Sequence, residues 1–120
     1  MAVEVAGTSI RIPQGDTGVI RFIASPADGI EEGDKGVFTL ARRDGAAILR
    51  KIMTAENGGF YMMFVYEDTA KLRPDTYEWS MRVVRGAEFD ASGKILDADV
   101  QHTAVINGRL SVVAAAGGAR

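Results

Sequence analysis

The chain contains no cysteine in its 120 residues, so it has no disulfide framework, no thiolate metal site and no thiol nucleophile. Its stability must come from packing, and the missing cysteines leave the redox compartment undetermined. Histidine occurs once and proline three times. No stretch approaches the roughly 20 apolar residues that span a bilayer, and no membrane partner is expected. The N-terminal MAVEVAGTS lacks both a basic flank and a sufficient apolar run, so it does not read as a signal peptide. Positive charge is not in excess. With a net charge of −2 and a sequence pI near 5.4, there is no overall field to draw in phosphate backbones, and nucleic acid is not expected as a partner. Gly-x-Gly-x-x-Gly and Walker-type strings do not occur, which removes the usual phosphate cradles.

What remains is the composition of an ordinary globular domain, 47% hydrophobic and 25% charged, long enough for one core. Short strand-like runs recur between turn signals, and no interval carries a long 3.6-residue stripe. We read strands over Thr8 to Ile12, Thr17 to Ala24, Gly36 to Arg42, Ala46 to Met53, Phe60 to Tyr66 and Asp75 to Val84. A final pair, Ala104 to Ile106 and Arg109 to Val113, reads as one strand kinked at Asn107 and Gly108. Asp44 and Gly45 supply the positive φ of a tight hairpin turn. Ser25 to Asp34 and Gly86 to Lys94 read as turns, and the stretch after Ile95 is ambiguous. Residues 67–72 form at most one or two helical turns, with Asp68 or Thr69 as N-cap. The spacing of seven or eight strands fits an antiparallel β-sandwich, since a parallel α/β fold would need crossover helices. Residues 1–113 form the domain, and Ala/Gly-rich residues 114–120 read as a tail.

A search for chemistry returns little. Asp97, Asp99 and His102 could gather on one strand, but a catalytic zinc ordinarily takes three well-placed ligands with more than one histidine, so a solvated strand edge is expected. Asp28, Glu31, Glu32 and Asp34 lack calcium-loop spacing and read as a charged loop. Ser9, Ser25, Ser80, Ser92 and Ser111 lack a nucleophile-elbow setting, and any triad would depend on His102. No catalytic, metal-binding or cofactor-binding residue is assigned, no cofactor is implied and a small-molecule ligand is not expected.

The packing pattern is more informative. In EDTAKLRPDTYEWSMRVV, residues 67–84, the apolar Tyr77, Trp79, Met81 and Val83 alternate with Glu78, Ser80 and Arg82. Phe22, Phe60, Met62, Phe64, Tyr77, Trp79 and Met81 are the expected core. If Phe60, Met62 and Phe64 point inward, then Tyr61, Met63 and Val65 lie on the opposite face, where they form either an interface with a partner or a patch covered by the chain's own loops. Leu72, Pro74, Thr76 and Tyr77 have the look of a tyrosine corner, which belongs to immunoglobulin-like sandwiches.

The order of these features resembles the immunoglobulin-like domains of tailed-phage baseplate upper proteins and the attachment domains of tail fibres. The likeness is carried by Gln14, Gly15 and Asp16 before the second strand, by Asp44 with Gly45, by Gly58 with Gly59, by Glu67 to Thr69, by Leu72 to Tyr77 and by Gly108 to Val113. Asp75 stands where that corner usually has glycine, and the apolar Tyr61, Met63 and Val65 stand where polar residues usually alternate. The resemblance implies an all-β, immunoglobulin-like antiparallel sandwich without enzymatic activity. It implies a virion structural protein, made in the host cytoplasm, of baseplate, tail, head-tail or capsid-decoration type. Its partners would be other virion proteins and further copies of itself. A bacterial carbohydrate- or protein-binding module is the alternative, and Trp79 exposed beside a groove would favour it.

Overall fold

The computed structural model describes residues 4–23, 31–56, 59–92, 94–97 and 100–114. Within them lie ten strands and one short helix: β1 Glu4–Ala6, β2 Ser9–Pro13, β3 Gly18–Ile23, β4 Lys35–Ala41, β5 Ala47–Thr54, β6 Gly59–Phe64, α1 Tyr66–Thr69, β7 Asp75–Arg85, β8 Glu88–Phe89, β9 Ile95–Asp97 and β10 Val100–Val113. Six strands form one sheet in the order β1-β2-β10-β7-β4-β5, and β3 pairs with β6 in a second. The two sheets face each other across one core, which makes the protein an all-β sandwich. A third, two-stranded piece joins β8 to β9.

Period-two burial explains the layering. Along β7, Tyr77, Trp79, Met81 and Val83 are buried, while Glu78 and Arg82 are exposed. Ile20 and Phe22 of β3, with Phe60, Met62 and Phe64 of β6, are buried from the opposite sheet. The rings interlock: Phe22 lies 5.6 Å from Trp79, Phe38 stacks on Trp79 at 5.6 Å with planes 20° apart, and Phe64 meets Phe38 edge-on at 5.9 Å. Each fully buried phenylalanine contributes roughly 2–3 kcal/mol of apolar transfer free energy, and such ring pairs add a fraction more.

Several local readings change. The sandwich is mixed rather than wholly antiparallel, because β2 runs parallel to β10, Ile10 beside Leu110 and Ile12 beside Val112. The stretch read as a turn and an ambiguous segment carries the β8–β9 hairpin, too short for periodicity to reveal. Val37, on the outer face of the large sheet, is buried and shares a groove with Ile95 of β9. The last strand does not kink at Asn107 and Gly108; both stay in register with Ser80 and Trp79, and the irregularity falls between His102 and Ile106. The helix is Tyr66–Thr69, earlier and shorter than read, and Asp68 is its third residue, accepting a hydrogen bond from the Val65 amide at 2.8 Å. The hairpin turn does use Gly45 at φ 88°, with the Asp44 carboxylate accepting from the Ala46 amide at 2.9 Å. The expected tail lies, apart from residue 114, outside the described residues.

Candidate functional site

The large sheet has six strands and the small one two, so β3 and β6 each have a single paired neighbour among the described strands. Their inner side chains complete the core, and their outer ones are left facing away from it. In the antiparallel register Val19 lies opposite Met63, and Arg21 lies opposite Tyr61. Directly opposed residues share a face at about 5 Å, so these four side chains make one continuous surface.

That surface is apolar and open. Val19 is 62% exposed, Met63 55% and Tyr61 40%. The patch continues along the chain through Val65 and into Tyr66, the first residue of α1, both exposed. Arg21 is the one charge within the strands of this face, and its guanidinium lies over the Tyr61 ring at 5.5 Å, an arrangement that keeps the cation at the rim of the patch. At the neighbouring edge Lys51 of β5 reaches Asp68 of α1 at 2.8 Å. Since Phe38 pairs with Lys51 and is buried, Lys51 is an inward-pointing charge on an edge strand, a device that discourages further strands from adding there. Recognition is therefore better served by the face of the small sheet than by the β5 edge.

Tyr61, Met63 and Val65 thus lie together on this exposed surface. Phe22, Phe60, Met62, Phe64, Tyr77, Trp79 and Met81 lie together in the core. Sequence reading missed Val19, Arg21 and Tyr66 as members of the face. Val19 and Arg21 sit on a different strand, and only the β3–β6 register shows that they flank Met63 and Tyr61.

The acidic loop proves to be partly structural. Asp34 is 2% exposed, accepting from Arg85 Nε at 2.8 Å and Nη2 at 2.9 Å and from the Glu31 amide at 2.9 Å. Hydrogen bonding to Asp34 pushes the Arg85 guanidinium further above its ordinary range, helped by the charges of Asp34 and Glu31 and opposed by desolvation. This half-buried fork fixes residues 31–34 to the end of β7. Its partners are 51 residues apart, which is why no local pattern announced it.

Among the described residues no group of three or more histidine, aspartate or glutamate side chains is placed to hold a metal ion. Asp28, Asp99 and Ser25 lie outside the described residues, and the side chains of Asp97 and His102 outside the described side chains. Trp79 is 3% exposed and turns its indole Nε1 to the Thr8 carbonyl at 3.0 Å, so it offers no stacking platform for a sugar. In comparisons with known proteins, no family model matches the chain, and neither does any curated protein or solved structure.

Proposed function

We propose that the chain is a non-enzymatic structural subunit of a tailed-phage particle, of baseplate, tail, head-tail or capsid-decoration type, working through protein–protein contacts. The observation that carries this reading is the open apolar face of Val19, Tyr61, Met63, Val65 and Tyr66 on the small sheet. Tyrosine and methionine are favoured where a surface is buried against a partner. Covering residues as exposed as Val19 and Met63 would return about 1 kcal/mol each, a useful increment when repeated around a symmetric assembly.

An immunoglobulin-like identity for the sandwich is part of the same proposal. With β3 to β7 and β10 as strands B, C, C′, E, F and G, the order β10-β7-β4-β5 is that of the G-F-C-C′ sheet, and β3–β6 is the B–E pair. Tyr77, at the start of the would-be strand F, donates to the Arg73 carbonyl at 2.7 Å, as a tyrosine corner does. Two residues on, where antibody domains place the second cysteine of the inter-sheet disulfide, stands Trp79, in ring contact with Phe22 of the would-be strand B. An aromatic clasp would then take the place of the disulfide, with Phe38 of strand C stacked on it.

Mass spectrometry of particles purified from cells that encode the chain tests the proposal. Its peptides should be recovered in fixed proportion to the major structural proteins through gradient purification. Recovery only in the lysate would contradict it.

A further inference from the structure

The chain has five methionines, and all but Met1 are among the described residues. Met53, Met62 and Met81 belong to the core, each 5% exposed or less, whereas Met63 is the one described methionine that opens to solvent. It stands in the middle of the apolar face. Val19 lies directly opposite it on β3, and Tyr61 and Val65 share its side of the chain two residues before and after. None of these three neighbours carries a charge.

A thioether that water reaches is also one that a peroxide reaches, so an oxidant meets Met63 before the buried methionines. With hydrogen peroxide the sulfur lone pair takes one oxygen: an S–O bond forms as the O–O bond breaks, and the second oxygen leaves as water. Sulfur loses two electrons and the peroxide gains them. The product is methionine sulfoxide, polar where the thioether was apolar. Because Met63 points away from the core, the fold does not feel the added oxygen. A partner seated on the face does, since a polar group buried against apolar surface without a hydrogen bond is unfavourable.

We propose that Met63 is an oxidation-sensitive modification site, and that its sulfoxide prevents a free subunit from associating with a second copy through the apolar face. This rests on the reading of that face as an assembly surface and adds how the surface is switched off. The coupling is reciprocal: an oxidised face assembles poorly, and an assembled face shields Met63. Peroxide therefore acts on free subunits and spares those already in place.

The test combines sedimentation velocity and peptide mass spectrometry of the full chain at high ionic strength, before and after exposure to hydrogen peroxide and its removal. Met63 should convert about tenfold faster than Met53, Met62 and Met81. The concentration at which oligomers form should rise by about tenfold or more. Near-ultraviolet circular dichroism from Trp79 and the thermal midpoint should stay in place. Met63→Leu keeps the face apolar without a sulfur there and should form oligomers equally well with or without treatment, which also removes any part played by Met1. Met63→Gln, polar and of similar length, should assemble as poorly as the oxidised wild type with no treatment at all. Raising the protein concentration before treatment should slow the conversion of Met63.

Oligomers that persist once Met63 is fully converted overturn the inference, as does an equal loss in treated Met63→Leu or wild-type assembly by Met63→Gln. Conversion of Met63 no faster than that of the buried methionines, or unaffected by protein concentration, overturns it too. All of these results leave the assembly reading standing. An untreated wild type that stays monomeric contradicts the assembly reading itself, and this inference with it.

Discussion

The indole Nε1 of Trp79 donates to the carbonyl of Thr8 at 3.0 Å, and that carbonyl occupies the space a side chain at residue 108 would need. Gly108 pairs with Trp79 across β7 and β10, so one carbonyl ties the incoming chain to both central strands. The large aromatic residue is anchored at its polar edge while its ring fills the core between Phe22 and Phe38.

Replacing Gly108 with alanine should therefore destabilise the protein through overlap with Thr8 rather than through lost glycine freedom. Overpacking against backbone of this kind costs about 1–3 kcal/mol. Chemical denaturation should show a lower midpoint with an unchanged slope. An Asn107→Ala control, altering an exposed side chain one residue away, should leave the midpoint nearly in place.

Tyr77→Phe removes one hydroxyl whose partner, the Arg73 carbonyl, lies 2.7 Å away, and leaves the ring in its place. The expected loss is about 1 kcal/mol, the usual net worth of one such hydrogen bond. Thermal unfolding should report it, and amide exchange should quicken first around residues 73–76.

Asp90 gives the expected pH dependence. Its carboxylate is held below the ordinary range, chiefly by the Ser92 hydroxyl at 2.7 Å, with the Lys94 and Ser92 amides and the charge of Arg50 adding to it and desolvation opposing it. A depressed carboxylate stabilises the fold above its unfolded pKa, and that contribution is lost as pH falls through the depressed folded value. Carboxyl NMR should find Asp90 titrating below ordinary aspartates, and Ser92→Ala should move its midpoint upward. Protection of the Ser92 and Lys94 amides should fade over the same acidic interval.

How much of this was legible in the chain depends on range. Alternation along Phe60 to Phe64 and Tyr77 to Val83 distinguishes inward from outward side chains, because a strand has a fixed period of two. Asp-Gly marks the β4–β5 turn for a similarly local reason. The parallel pairing of β2 with β10 carries no local signature, nor does the fork between Asp34 and Arg85, since both join residues distant in sequence. The β8–β9 hairpin escaped because two- and three-residue strands are shorter than any periodicity. The apolar face was visible only by half: Tyr61, Met63 and Val65 follow from one strand, whereas Val19 and Arg21 require the register of two.

The most direct experiment compares assembly of the wild-type chain with that of Tyr61→Glu/Met63→Glu at high ionic strength, where contacts between exposed charges are screened. Mass photometry should show concentration-dependent oligomers for the wild type and a monomer for the folded variant. A wild type that stays monomeric, and fails equally to join particles from which the chain has been deleted, would contradict a role for this face in assembly.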